Sequence, residues 1–480
     1  MAALPTNNSM LPGVVWVAPY PSPEPTRSGA SKGNHMSYPI PTGGFTRRSL
    51  IGAGLGVGAV GLLSACGGSS ATDTPSATGD GGKGGYNGPN VDLVFWNGFT
   101  GGDGAFMKKL VEQFNGEHQN IKVSMQVMQW ADYYTKLPTA VTSGKGPDIG
   151  VMHVDSVATN AARKIIQPLD DVAKGLGLSE NDFAPVPWKA GIYKDVRYSI
   201  PLDVHPLGFF YNKTLMEQAG LDPEKPPLDL DSYMSALDKL KAKGIQGHWA
   251  SPFPFTGGLS MQSLIAQFGG SMYNEEATEA TYNSEAGVKA FTWFQDLVKK
   301  GYSPAKVDQD ADFLALQNGK NAFNWNGIWS LNTLAEKKDL KWGVSVLPNI
   351  GGKDAAWAGS HQFVLPTRKS PDANKDQASR VFLNWISQHS LEWAKGGQVP
   401  ARNSVRESAE FKALKGQAEL AKQIDHLVFL PAVAGIGDAG PEFDKALNEI
   451  ILGQKDVKST LDAAVSRANK ILEANVKKYG

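Results

Sequence analysis

Cys66 is the only cysteine of the chain, so its thiol is the one nucleophilic sulfur available for covalent chemistry. It ends an apolar stretch, residues 51–65, whose last members are small, and the pair Arg47 and Arg48 precedes that stretch. A charged segment, an apolar segment and small residues in this order are typical of a secretory signal. The sequence therefore predicts export, with Cys66 at the processing site.

Residues 63–66, Leu-Ser-Ala-Cys, resemble the bacterial lipobox. The resemblance implies cleavage before Cys66 and acylation of the new N-terminal residue, which anchors the protein on the extracytoplasmic face of the cell membrane. The arginine pair resembles the twin-arginine signal of proteins exported after folding, although basic residues precede any signal. A buried, structural Cys66 is the alternative. A transmembrane helix is disfavoured because the glycine-interrupted stretch falls short of the about 20 apolar residues that span a bilayer.

The leader is predicted to comprise residues 1–65. Met36 would give a leader of ordinary length, so a start at Met36 is a second reading of the same segment. Residues 67–90 contain almost no apolar side chain and cannot offset their ordering entropy. We therefore expect a flexible tether over residues 66–90 and a globular part that begins near Val91.

The length of the chain predicts two lobes. The chain has 480 residues, and removal of the 65-residue leader would leave 415. Both lengths exceed the about 250–300 residues that one hydrophobic core serves. Its 47 basic and 47 acidic residues balance, which argues against nucleic acid or an anionic membrane surface as the main partner. One cysteine permits no disulfide within the chain, and without H-x-H or H-x-x-x-H spacing neither a metal site nor a cofactor is predicted.

Hydrophobic periodicity predicts an α/β fold. Strands are expected at 91–96, 121–127 and 147–151, with helices after Asp103 and Asp132 between them. Strand and helix in alternation indicate a parallel sheet. Further helices are predicted at 233–242, at 286–300, at 377–393 and, in pieces, over 446–479.

The order of several motifs is similar to that of the extracellular sugar-binding proteins of ATP-binding-cassette importers, a solute-binding family that includes maltose-binding-type proteins. The resemblance covers nearly all of residues 91–480. Its motifs are FWN (95–97), FNGEHQNIKV (114–123), KGPDIGVMHVDS (145–156), QPLDD (167–171), IPLDVHPLGFFYNKTLMEQAGLDP (200–223), KGIQG (243–247), NGKNAFNWNGIW (318–329), WGVSVLPNIGG (342–352) and VPARNS (399–404).

This resemblance implies a two-lobe periplasmic-binding-protein-like fold of type II, in which each lobe is a mainly parallel sheet flanked by helices. Crossings would lie near 203–205, 342–343 and 396–402. The first lobe would then comprise 91–203 plus 343–395, and the second 204–342 plus 396–480. The family binds sugar in the cleft between the lobes and delivers it to membrane permease subunits, so no catalysis and a monomer are expected.

A sugar site needs aromatic plates for the ring faces and planar polar groups for the hydroxyls. The family's pattern implies that an acidic residue at the position of Asp155 receives sugar hydroxyls. Some relatives carry a carboxylate where this chain has His205, so we expect Asp203 to supply the missing acceptor. The candidate ligand-binding residues lie at predicted strand ends, at the first crossing and in two glycine-containing segments. They are Trp96, Asn97, Trp130, Asp155, Asp203, His205, Trp325, Asn326, Trp329, Trp357, Gly359 and His361.

Competing interpretations accompany these assignments. A tryptophan is more often a core residue than a ligand plate, and flanking glycines favour the plate for Trp329 and Trp357. His153 and His361 could instead satisfy backbone groups. A surface-anchored glycoside hydrolase, which needs two carboxylates across a cleft, is the rival function. A binding protein for a non-sugar solute is the other alternative.

Overall fold

The structure, a computed structural model, describes residues 85–480, so the leader, Cys66 and most of the predicted tether lie outside it. The strands of the described part are β1 (Val91–Asn97), β2 (Ile121–Val127), β3 (Ile149–His153), β4 (Ile192–Tyr193), β5 (Val196–Arg197), β6 (Ile200–Pro201), β7 (Asp203–Asn212), β8 (Phe323–Gly327), β9 (Trp342–Ser345), β10 (Ala356–Gly359), β11 (His361–Val364), β12 (Val399–Pro400) and β13 (Leu427–Val428).

The α-helices of the same residues surround these strands. They are α1 (Gly104–Glu117), α2 (Trp130–Ser143), α3 (Val154–Ala162), α4 (Asp170–Gly175), α5 (Pro185–Ala190), α6 (Lys213–Gln218), α7 (Leu230–Ala242), α8 (Leu259–Gln267), α9 (Glu285–Lys299), α10 (Ala311–Gln317), α11 (Ser330–Ala335), α12 (Ala373–Gln388), α13 (Ser390–Lys395), α14 (Asn403–Arg406), α15 (Ala409–Lys412), α16 (Lys415–Ala421), α17 (Gly440–Ile451) and α18 (Val457–Tyr479). Over residues 85–480, every helix is too short or too polar to cross a bilayer.

The first sheet has the strand order β2-β1-β3-β11-β6. β1 runs parallel to β2 and β3, as the strand–helix–strand alternation predicts, whereas β11 pairs antiparallel with β3 and β6. Phe95 of β1 packs edge-on against Phe382 of α12, which also contacts Phe114 of α1. α1, which is near the start of the described chain, and α12, which lies more than 250 residues later, therefore pack against β1 in one apolar core.

The second sheet is built around β7, whose ten residues are all buried. β8, β9, β10 and β12 pair antiparallel with it, and β13 pairs parallel with β10. A fully buried central strand reads as a continuous apolar and aromatic run, which explains the sequence 206–211, Pro-Leu-Gly-Phe-Phe-Tyr. The second core lies between this sheet and helices such as α7, α8, α9 and α17.

The crossing predicted at 342–343 is wrong. β9 pairs with residues 209–212 of β7, and β10 pairs with His205 and Pro206, so residues 342–359 belong to the second sheet. The next strand, β11, pairs with β3 and β6 of the first sheet. The chain therefore passes between the sheets at Ser360. β9 and β10 form their backbone hydrogen bonds with β7, and β11 is the first strand after them that pairs with β3.

Of two predicted helix starts, one is confirmed and one needs correction. α1 begins directly after Asp103, as predicted, although the Asp103 side chain makes no capping hydrogen bond to the helix. α2 begins at Trp130 after Gln129, which places Asp132 in the first turn and not at the cap. A carboxylate in the first turn still favours the helix through the macrodipole. The helix predicted over 377–393 is interrupted at His389, between α12 and α13.

Candidate functional site

Asp203 lies at the start of β7, where the two sheets meet, and its side chain is fully buried. Its carboxylate accepts hydrogen bonds from the backbone N–H of His361 (3.0 Å) and from Nδ1 of His361 (2.7 Å). Nδ1 of His205 (3.2 Å) and Nε1 of Trp393 (2.6 Å) donate to it as well. The predicted role of Asp203 as a direct ligand acceptor is therefore corrected, since its oxygens are already engaged and it positions the two histidines.

Charge and burial act in opposite directions at this junction. Burial raises the pKa of Asp203, but its electrostatic interaction with His361 and the hydrogen bonds from both histidines outweigh burial and lower the pKa below its usual value. Burial lowers the pKa of His205, and the repulsion that two protonated rings would exert on each other at His205 and His361 lowers it further. Burial likewise lowers the pKa of His153 well below its ordinary value, with His361 and His205 adding to the effect. His153 and His205 are thus neutral at pH 7.

A row of aromatic rings runs across the junction. The Trp130 ring stacks on His361 with centroids 5.8 Å apart and planes 12° apart. His361 lies 4.5 Å from His205, whose ring is 6.2 Å from both Trp329 and Trp357. We call Trp130, His361, His205, Trp329 and Trp357 the aromatic row. Its three tryptophans are half-buried, so they retain surface for a ligand.

Two glycines allow the row to pack closely. A Cβ at Gly327 would lie 2.0 Å from the Trp329 ring, and a Cβ at Gly359 would lie 2.2 Å from Nε2 of His205. Both distances are far below van der Waals contact, so only glycine permits these rings to lie on the backbone. Gly327 thus makes room for Trp329, whereas Gly359 makes room for His205. The ligand roles of Trp329 and Trp357 stay predictions.

Residues around the first sheet contribute further side chains that the sequence did not assign to the site. Tyr134 of α2 contacts His153 through its hydroxyl, 2.9 Å from Nδ1, and accepts the backbone N–H of His153 at 2.8 Å. The Asp103 carboxyl lies near His361 and Asp203, and burial raises its pKa. The Phe99 ring lies edge-on to both Trp130 and His361. These three residues do not belong to any of the motifs described above. The only sequence signal for them is an aromatic or acidic residue that follows a strand or lies early in a helix.

The structure separates some predicted residues from the row. Trp325 is buried in the second core, stacked on Trp293 at 5.8 Å and 20°, and is corrected from ligand plate to core residue. Asn326 is also buried; its amide binds Asn324 at 3.2 Å and accepts the N–H of Gly327 at 2.8 Å. Neither side chain has a surface to offer a ligand in this conformation.

The two candidates at the end of β1, Trp96 and Asn97, pack against other protein groups, whereas Asp155 is exposed. Asn97 is fully buried, and its side-chain oxygen accepts the backbone N–H of Phe99 at 3.2 Å. Trp96 is half-buried and packs on the cluster that contains Tyr133. Asp155 is exposed in the first turn of α3, two residues after His153. Of these three, Asp155 alone presents its polar group to solvent beside the row.

The fold consists of two α/β halves, which are joined where β6 leads into β7 and where β10 leads into β11. Aromatic and polar side chains gather at their junction. These features define a two-lobe solute-binding protein. The profile of a family described as bacterial extracellular solute-binding protein matches residues 109–418. The chain belongs to this family. The resemblance predicted from the motifs is thereby confirmed.

Individual relatives agree with this assignment. The sn-glycerol-3-phosphate-binding periplasmic protein UgpB of Escherichia coli (strain K12) is 26% identical over 410 residues, which are 79% of this chain and 92% of the relative. The cyclic alpha-maltosyl-1,6-maltose binding protein of Arthrobacter globiformis has a TM-score of 0.71 at 23% identity, over 81% of this chain and 100% of that one. UgpB of Mycobacterium tuberculosis, in complex with glycerophosphocholine, has a TM-score of 0.70 at 20% identity, over 81% and 99%. The two-lobe fold is thus confirmed.

Proposed function

We propose that the protein captures a sugar or oligosaccharide in the interlobe cleft and delivers it to the permease of an ATP-binding-cassette importer. The aromatic row carries this proposal. Its half-buried tryptophans come from both lobes: Trp130 follows a strand of the first sheet, and Trp329 and Trp357 lie at strands of the second. Sugar rings present weakly apolar faces that stack on such plates.

The polar groups beside the row suit hydroxyls better than a phosphate. Asp155 is an exposed acceptor near the row, and Asp103 adds a second carboxyl beside His361. Carboxylates accept hydrogen bonds from neutral hydroxyls but repel an anionic headgroup. The two carboxyl groups therefore favour a neutral carbohydrate over the glycerol phosphates that the curated relatives are named for.

We expect binding without catalysis. A glycosidase requires two carboxyl groups free to act as acid and as base or nucleophile. Asp203, one of the acids available to such a mechanism, is held by two histidines and Trp393. Incubation with oligosaccharides followed by product chromatography should return the sugars intact, and released monosaccharide would favour the hydrolase.

Ligand binding is expected to favour a closed form of the two lobes. His205 belongs to the second sheet and His361 to the first, so a ligand that contacts both must hold the lobes together. Small-angle X-ray scattering should show a smaller radius of gyration at saturating sugar. An unchanged radius, with binding verified separately, would remove the closure mechanism and leave the binding function.

The remaining parts of the proposal concern location and assembly. We place the mature protein as a monomer on the extracytoplasmic face of the cell membrane, held by acyl chains on Cys66. The decisive experiment for the ligand is a thermal-shift panel of monosaccharides, maltose-type oligosaccharides, sn-glycerol 3-phosphate and glycerophosphocholine. A rise in melting temperature with sugars alone supports the proposal. A rise only with the phosphate compounds would replace it with the function of the curated relatives.

A further inference from the structure

We propose that His153, His205 and His361 form a binding site for a divalent transition-metal ion of the Zn²⁺ type at the junction of the two lobes. The side chains come from β3, β7 and β11, which lie far apart in the sequence. One ring nitrogen from each can be chosen so that all three lie within 4.8 Å of one another. The proposal does not depend on the sugar function, because it concerns these side chains and the ion alone.

Strand pairing sets the three histidines face to face. His361 of β11 lies directly opposite His153 of β3 in an antiparallel register. His205 of β7 lies opposite Gly359 of β10, two residues before His361. The ring centroids are 4.5 Å apart for His205 and His361 and 5.2 Å apart for His153 and His361. Both sheets therefore contribute to one group of imidazoles.

Hydrogen bonding to the Asp203 carboxylate leaves Nε2 free on His205 and on His361. Asp203 accepts Nδ1–H from His205 and from His361, which directs the lone pair of each ring to Nε2. Tyr134 lies 2.9 Å from Nδ1 of His153, and its oxygen can accept that N–H besides the backbone N–H of the same residue. Metal-ligating histidines almost always donate their second N–H to a carboxylate or another acceptor in this way.

The separation of the three nitrogens is close to that of a zinc site. Gly359 lets the backbone of β10 lie directly against the His205 ring, because a Cβ there would meet Nε2 at 2.2 Å. Zinc binds histidine nitrogens at about 2.0–2.1 Å in tetrahedral geometry, which corresponds to nitrogen separations of about 3.4 Å. The observed limit of 4.8 Å requires the rings to approach by about 1–1.5 Å. Small χ rotations or closure of the lobes provide this movement.

The ligand set defines the class of ion. Three imidazoles suit zinc, copper, nickel and cobalt, whereas magnesium and calcium take oxygen ligands. Three protein ligands leave a fourth position for water or for a hydroxyl of a bound molecule. Because His205 lies on one sheet and the other two histidines on the other, the bound ion would join the lobes.

The test is isothermal titration of the untagged, chelator-treated full chain with ZnCl₂. We expect one ion per chain and a higher melting temperature with zinc. His153→Ala and His205→Ala should each weaken affinity by about 100-fold or more, and Tyr134→Phe, which keeps all three ligands, by about tenfold. His426→Ala, at an exposed histidine, is the matched control and should bind as the wild type does.

Cobalt substitution supplies a second readout, which reports the geometry of the site and can be taken on the wild type alone. Co²⁺ bound by the wild type should give visible absorption of a four-coordinate site, and this absorption should be absent from folded His153→Ala. Wild-type protein that binds no zinc at about 10 µM, or folded His153→Ala that binds as tightly as the wild type, would overturn the proposal. If an alanine variant does not fold, the stoichiometry, the cobalt spectrum and Tyr134→Phe decide.

Discussion

Trp393 donates its indole N–H to Oδ2 of Asp203 at 2.6 Å, and this bond links the core of the first sheet to the first residue of β7. The sequence had indicated a ligand acceptor at Asp203, and the structure places Trp393 in the core of the first sheet. The structure joins them, because a buried carboxylate must find donors and the indole is one of four N–H groups that reach it.

Trp393→Phe should lower the free energy of unfolding, since it removes one donor from a buried, charged acceptor. Hydrogen bonds to charged groups contribute about 1.5–3 kcal/mol, so we expect a loss of that size in urea unfolding. Trp385→Phe is the matched control, because its indole donates to the exposed Glu117. The loss there should be clearly smaller. Equal losses in the two variants would contradict the role of Asp203.

Trp329→Ala and Trp325→Ala should affect different quantities, although the two residues lie in one segment. Trp329 belongs to the aromatic row, so its truncation should weaken sugar affinity by about tenfold or more, about 1.4 kcal/mol. Trp325 is buried in the second core, and its truncation should cost about 3–5 kcal/mol of stability. Titration calorimetry and thermal melts measure both. If Trp329→Ala melts early but its folded fraction binds normally, Trp329 is not a ligand plate.

Gly359→Ala should impair both packing and binding, because the added methyl would meet Nε2 of His205. Overpacking of this kind costs about 1–3 kcal/mol. We expect a lower melting temperature and weaker sugar binding. Gly440→Ala is the control, since a Cβ there has open space. If Gly359→Ala keeps the melting temperature and sugar affinity of Gly440→Ala, the close packing of His205 on Gly359 matters for neither stability nor binding.

Asp312 should make stability depend on pH. Burial raises its pKa to about 6, although hydrogen bonds from Asn324 and Thr256 act against this rise. The unfolded state releases this proton near pH 3.8, so between about pH 4 and pH 6 the folded state holds more protons, and the free energy of unfolding falls as pH rises. The loss reaches about 3 kcal/mol above pH 6.

Asp312→Asn should remove this contribution. Chemical unfolding of both proteins at pH 4, 5, 6 and 7 measures it as a difference in slope. The variant should gain stability relative to the wild type as pH rises. Parallel pH profiles would show that Asp312 titrates normally in the folded state.

Cys66→Ala should prevent acylation, since the chain contains no other thiol. Each buried methylene of an acyl chain contributes about 0.8 kcal/mol to membrane binding. The variant should therefore appear in the medium or remain as an uncleaved precursor. Fractionation after labelling with a fatty-acid analogue measures this. A labelled membrane fraction equal to that of the wild type would contradict acylation at Cys66.

Local patterns were sufficient for several elements. Alternating burial along β1 and the spacing of Leu110, Val111 and Phe114 in α1 follow from periods that the sequence displays directly. The motif order was sufficient for the family. Glycine beside an aromatic also indicated that the Trp329 ring packs on the backbone, because this close approach needs a residue without a side chain. The ligand roles of Trp329 and Trp357 stay predictions.

By itself, the sequence determined the α/β class, the family and most of the helices, since these depend on local composition, motif order and period. Tertiary structure alone decided which sheet receives residues 342–359, because that depends on which edge of β7 is free for pairing. It also decided that Trp325 is core while Trp329 is half-exposed, and that His153, His205 and His361 meet. Sequence spacing carries no record of contacts between strands some 50 to 200 positions apart, and those contacts form the site.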